Sequence, residues 1–367
     1  MGENITLTET DKELPKHVKN GFMRYRDFQP LTQGGEAILR TCVDDNLGRT
    51  VVMKTLQPQF QNLDTYQKRF LREARVTAQI PHPATIPVYE LSRDSDGNPY
   101  FTMKKLTGRD LCDILDQLAA NDEATVRKFS RDTLLRVLVH VGQCLAFSHA
   151  RGVVHRDMKP ANIMIGDYGE IMVLDWGLAK VWDMPDDDEV AKQIRSGQQR
   201  ISGRLTGKGD VQGTPFYMSP EQATETGNVD ERTDIYNMGI ILFELLTGES
   251  YMSGRNFREI KRKILEDPVR APAAVAPHRR ISRELNAVCV KALHKKPEQR
   301  YQTMTLMIED LQTALDGGIP EACGDQSGPA RFKLRLSRSL TPACGVSLLL
   351  GFLLCLIGQL IFRWILP

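Results

Sequence analysis

The sequence predicts an α+β fold: a β-rich N-terminal part, a helical C-terminal part and a transmembrane helix at the end. Three observations carry this. Val51-Val52-Met53-Lys54, and the two apolar runs on either side of Ser95-Asp96-Gly97-Asn98, read as strands within the first hundred or so residues. Ile240-Ile241-Leu242-Phe243-Glu244-Leu245-Leu246 reads as a buried helix. Ala343 to Phe362 runs twenty residues without a charge.

At 367 residues the chain has room for one two-part domain and short extensions. The composition is that of a globular protein, without internal repeats. A net charge of +2 gives no case for a nucleic-acid-binding surface. The seven cysteines are scattered and show no metal-ligand spacing, and their odd count fits a reducing cytoplasm. The N-terminus is polar and charged, so no secretory signal peptide is expected. Residues 1–27 are expected to form a short helical or flexible extension.

In chain order, Leu31-Thr32-Gln33-Gly34-Gly35-Glu36-Ala37-Ile38-Leu39 is a glycine-containing turn between apolar residues. Val51 to Lys54 is a buried strand ending in a cation, and Phe70-Leu71-Arg72-Glu73-Ala74-Arg75 is helical in composition. Asp96-Gly97-Asn98 predicts a hairpin turn between Val88-Tyr89-Glu90-Leu91 and Tyr100-Phe101-Thr102-Met103. His155-Arg156-Asp157-Met158-Lys159-Pro160-Ala161-Asn162 follows, and thirteen residues after its Asn comes Asp175-Trp176-Gly177. These two strings place an acid, a lysine, an asparagine and a second acid at the spacing that phosphoryl transfer needs. Gly213-Thr214-Pro215-Phe216-Tyr217-Met218-Ser219-Pro220-Glu221 precedes Asp234-Ile235-Tyr236-Asn237-Met238-Gly239, which opens the buried helix.

Taken in this order, residues 28–315 resemble the protein kinase family, and most closely the bacterial eukaryotic-like (Hanks-type) Ser/Thr kinases. The resemblance implies a two-lobed kinase fold, with the N-lobe over 28–105 and the C-lobe over 106–315. It implies ATP as substrate, with Mg²⁺ (or Mn²⁺) as the metal. Lys54 is then the lysine of the α- and β-phosphates, and Glu73 its ion-pair partner. Asp157 is the base that orients and accepts the proton of the attacking hydroxyl. Lys159 neutralises charge on the transferred phosphoryl group. Asn162 and Asp175 are the metal ligands, hard oxygen donors that suit Mg²⁺. Leu31, Gly34, Gly35 and Leu39 fall in the nucleotide-covering loop. Met103 is the gatekeeper beside the adenine, and Lys105 lies in the hinge from Lys104 to Leu106. Glu221 and Arg300 form a buried structural ion pair, whose disruption costs on the order of 3–5 kcal/mol. In the family, the equivalent of Asp234 braces the catalytic loop.

Two departures stand out. Only Gly34 occupies a motif glycine of the nucleotide loop; Thr32 and Ala37 replace the others, which should weaken ATP binding or stiffen the loop. Trp176 replaces the usual Phe, a change that another large aromatic tolerates. Lys159 and the Gly213-Thr214 pair favour Ser/Thr over Tyr acceptors.

The segment from Asp175 to Glu221 is long for the family. Its middle turns from acidic (Asp183, Asp186, Asp187, Asp188, Glu189) to basic (Arg195, Arg200, Arg204, Lys208) and reads as a solvated insertion. Arg156 could pair with a phosphorylated residue of this loop. Ser196, Ser202 and Thr206 are the candidate autophosphorylation sites; Thr214 is a weaker candidate, because its family counterpart contacts the catalytic Asp and Lys.

Residues 316–342 read as a linker whose basic residues are Arg331, Lys333, Arg335 and Arg338. A helix over 343–363 would span about 30 Å, the thickness of a bilayer core. Positive charge on its N-terminal side places the kinase in the cytoplasm, anchored in the cell (inner) membrane by a single pass. Only five residues follow Phe362, so no external sensor domain is expected. Ser347, Gly351 and Cys355 recur every four residues and could pack a homodimer. Expected partners are therefore ATP, protein substrates and membrane lipid. The rival readings are a pseudokinase scaffold, suggested by the altered glycine loop, and a kinase-fold enzyme with a small-molecule acceptor, which the Gly213–Glu221 segment argues against.

Overall fold

The computed structural model describes residues 18–33, 35–181, 214–224 and 229–324. Its N-terminal lobe is an antiparallel sheet of β1 (Tyr25–Gln33), β2 (Ala37–Asp44), β3 (Arg49–Leu56), β4 (Val88–Arg93) and β5 (Pro99–Lys104). The strand order is β1-β2-β3-β5-β4, and helix α1 (Asp64–Ala78) lies between β3 and β4 in sequence. β3 is therefore central, and its apolar run is buried on both faces. Val51 and Met53 pack with Tyr25, Cys42 and Tyr100 on one side, while Leu56 packs with Phe101 and α1 on the other. The two-residue period of a strand puts Lys54 on the Leu56 side.

α1 meets that face with Tyr66, Phe70 and Ala74, one residue per turn. Full burial of a side chain such as Phe70 contributes roughly 1.5–3 kcal/mol, so this stripe fixes the rotation of α1 and with it the direction of Glu73. The β4–β5 hairpin closes where the sequence predicts. Asp94 Oδ1 accepts from the Asp96 and Asn98 amides at 3.0 and 2.8 Å, and Gly97 takes the φ of +83° that the turn requires.

The second lobe is mainly helical. β6 (Gly108–Asp110), β8 (Ile163–Gly166) and β9 (Ile171–Val173) form one small sheet, and β7 (Val153–Val154) pairs with β10 (Lys180–Val181). Its main helices are α2 (Leu111–Ala119), α3 (Glu123–Lys128), α4 (Arg131–His149), α5 (Pro220–Ala223), α6 (Glu231–Thr247), α7 (Phe257–Glu266), α8 (Pro272–Val275), α9 (Arg283–Ala292) and α10 (Met304–Leu315).

α6 is the axis of this lobe. Every residue from Thr233 to Thr247 is buried, the polar Asp234, Asn237 and Glu244 included. It packs on α4, α9 and α10. Gly239 allows the closest approach: a Cβ there would lie 3.0 Å from the Ala292 Cβ. The two-lobed kinase fold expected from the sequence is thus present. Among the described residues no helix is long and apolar enough to cross a membrane. The expected transmembrane segment, 343–363, lies outside the described residues.

Candidate active site

The loop from His155 to Asn162 hangs from the first turn of α6. Asp234 Oδ2 accepts the His155 amide and Oδ1 accepts the Arg156 amide, both at 2.8 Å. His149, at the end of α4, donates its Nε2–H to the same carboxylate at 2.8 Å. Burial alone would raise the Asp234 pKa, but the His149 hydrogen bond and the nearby His155 outweigh it and hold the carboxyl below its ordinary value. A fixed anion is the acceptor that two converging amides need, and it lets Arg156 hold a φ of +66°. Gln222 of α5 donates to the Arg156 carbonyl at 2.8 Å, and Arg156 Nε donates to the Leu178 carbonyl at 2.7 Å.

Within the loop, Lys159 Nζ donates to Asp157 Oδ2 at 2.9 Å. Asn162 Nδ2 donates to the Asp157 carbonyl at 2.7 Å. His155 Nε2 donates to the Leu174 carbonyl at 3.0 Å, leaving Nδ1 to accept the Asp157 amide at 3.3 Å. The Trp176 ring lies 4.6 Å from the His155 ring and is fully buried. The two strings singled out in the sequence are therefore stitched into one body. Asp175 adopts the left-handed region and caps the short turn Trp176–Leu178.

Across the cleft, Lys54 Nζ donates to the Glu73 carboxylate. Burial works against the Lys54 charge, but Glu73 and Asp175 together raise its pKa, so the ammonium is held protonated. Burial also keeps Glu73 above the ordinary carboxylate range, with Asp175 adding to it and Lys54 opposing. Gly35, Leu39, Lys54, Glu73, Lys159 and Asp175 line one cleft of about 1460 Å³.

The protein kinase domain model matches residues 25–311. The chain belongs to the protein kinase family. Among curated proteins, the kinase is 32% identical over 297 residues to serine/threonine-protein kinase PknD of Protochlamydia amoebophila, covering 80% of this chain and 30% of that one. It is 32% identical over 308 residues to a probable serine/threonine-protein kinase PknB of Bifidobacterium longum, covering 82% of this chain and 41% of the relative. A probable serine/threonine-protein kinase of Streptomyces coelicolor is 34% identical over 297 residues, with 80% and 40% covered. The chain thus spans about a third of the length of the first of these relatives.

The remaining kinase positions fall as follows. Met103 is half-buried on β5, paired in register with Val52, and Lys105 follows β5 directly. Leu31 is half exposed on β1. Gly34, Ser196, Ser202 and Thr206 lie outside the described residues, as does the side chain of Thr214. Away from the cleft, Arg300 donates from both terminal nitrogens to Glu221 at 2.8 Å, and Thr233 donates to the same carboxylate at 2.7 Å. Burial would raise the Glu221 pKa, but Arg300 holds it below the ordinary value. Sequence reasoning missed His149 and Gln222. A histidine at a helix end reads as an ordinary favourable interaction with the dipole, and nothing local points to Asp234, 85 residues away.

Proposed function

We propose that this protein transfers the γ-phosphoryl group of ATP to Ser or Thr hydroxyls of protein substrates. The observation that carries the reading is that Lys54 and Glu73 from one lobe and Lys159 and Asp175 from the other line a single cleft, with Asp157 hydrogen-bonded to Lys159 and Asn162 to Asp157. Lys54, kept charged by Glu73, holds the α- and β-phosphates. Asp157 accepts the hydroxyl proton, and Lys159, already on its carboxylate, stabilises charge on the group in transit. Asn162 commits its amide N–H to the Asp157 carbonyl, which leaves its Oδ1, like the Asp175 carboxylate, to serve as a hard oxygen ligand. Those donors suit Mg²⁺, which when bound neutralises phosphate charge. The names of the relatives support Ser/Thr acceptors.

Two finer readings go with it. Autophosphorylation of Ser196, Ser202 or Thr206 would supply a phosphate for Arg156, and segment 343–363 would anchor the kinase on the cytoplasmic face of the cell membrane. Phosphosite mapping and alkaline extraction of membranes test these two. The function itself is tested by incubating the full chain with Mg²⁺, labelled ATP and a general protein acceptor, beside Asp157→Asn. Label on Ser or Thr in the wild type and none in the variant is expected. Equal label in both, or nucleotide binding without any phosphoprotein, would overturn the assignment.

A further inference from the structure

The loop between β1 and β2 is short of glycine in sequence, and Glu36, at its end, is held from two sides. Its backbone is fixed to the end of β3: the Glu36 carbonyl accepts the Gln57 amide at 2.9 Å, and Ala37 pairs with Leu56. Its side chain is fixed to α1: Glu36 Oε1 accepts from Arg69 Nη1 at 3.0 Å, with Arg69 only 12% exposed. Arg69 lies one helical turn before Glu73, so both side chains leave the same face of α1. Gly35, Glu36, Arg69, Lys54 and Glu73 all line the cleft. Glu36 also adds to the charges that favour the Lys54 ammonium.

We propose that Arg69 and Glu36 are a positioning pair that fixes the phosphate-covering loop on α1, so that triphosphate affinity depends on where α1 sits. This rests on the reading of the cleft as an ATP site. Two physical effects combine. α1 reaches the sheet through Glu73 and the loop through Arg69, so a shift that strains one contact strains the other. Arg69 also neutralises a carboxylate that would otherwise repel the phosphates. The two losses are not equivalent. Removing Arg69 leaves Glu36 as an uncompensated anion beside the triphosphate, whereas removing Glu36 frees the loop without adding repulsion.

The test is a double-mutant cycle on the full chain, with Glu36→Gln, Arg69→Gln and the double variant, read as Kd for Mg-ATP and for adenosine. Thermal unfolding without nucleotide, and Arg69→Lys as the milder variant, control for folding. Arg69→Gln should weaken ATP about fivefold and Glu36→Gln about twofold, within the range of a partly exposed ion pair. The double variant should resemble Glu36→Gln, Arg69→Lys should recover most of the loss, and adenosine should bind all variants alike. Additive losses, or equal losses for ATP and adenosine, would overturn the pair while leaving the kinase reading intact. Failure of the wild type to bind ATP would overturn both.

Discussion

Glu244 offers the sharpest test of how the helical lobe is built. Its carboxylate is buried on α6, where Oε2 accepts from the Tyr217 hydroxyl at 2.8 Å and Oε1 accepts from Ser250 and the Tyr251 amide at 3.3 and 3.4 Å. Burial outweighs these donors and pushes its pKa from 4.5 to about 7. The group therefore ionises more readily in the unfolded chain. Between about pH 4.5 and 7 the unfolded state holds fewer protons, so Glu244 lowers stability as pH rises across that window and no further above it. At about 1.4 kcal/mol per pKa unit, the accumulated penalty at pH 8 is about 3 kcal/mol. Glu244→Gln keeps the shape and removes the penalty, which is already net of the bonds from Tyr217, Ser250 and the Tyr251 amide. The stability of the variant relative to the wild type should rise by about 3 kcal/mol between about pH 4.5 and pH 8. The assay is thermal unfolding of both full chains at intervals across that range, taking the difference in Tm so that other titrations cancel. A difference that does not change with pH, or one that increasingly favours the wild type as pH rises, would refute the argument that burial governs this carboxyl.

Three further outcomes are expected. Asp234→Asn leaves one of the two converging amides facing an N–H instead of an acceptor, an unsatisfied buried donor that costs about 1–3 kcal/mol; steady-state kinetics should show kcat falling at least tenfold with a smaller change in the KM for ATP, since Lys54 and Glu73 are untouched. Arg300→Ala strands Glu221 in the core and should cost on the order of 3–5 kcal/mol by denaturant unfolding, with Glu221→Gln/Arg300→Met costing much less than the single alanine change. Asp234 and Glu221 both have depressed pKa values when folded; their contribution is complete above the unfolded values of 3.8 and 4.5 and is lost as pH falls through the folded ones, so acid unfolding should be steeper in the wild type than in Asp234→Asn.

Residues whose positions follow from a strand or helix period were legible in the chain. The apolar run ending at Lys54 could only be a buried strand, and the Asp94–Asn98 turn could only close a hairpin. The unbroken apolar run from Met238 to Phe243 is apolar on every side and so reads as an interior helix. The strings around Asp157 and Asp175 gave the chemistry for the same reason: their spacing is local, and local geometry fixes it. The contacts that hold those strings in place are not local. His149 reaches Asp234 across 85 residues, Gln222 reaches Arg156 across 66, and Arg69 reaches Glu36 across 33. An arginine, a helix-end histidine and a glutamine have no sequence period that separates them from solvated side chains. Only packing takes away their water and so decides whether a charge or an amide has a partner. The shift of Glu244 to about 7 is of the same kind: the sequence places a glutamate in an apolar helix, but the degree of its burial, and hence its titration, belongs to the tertiary structure.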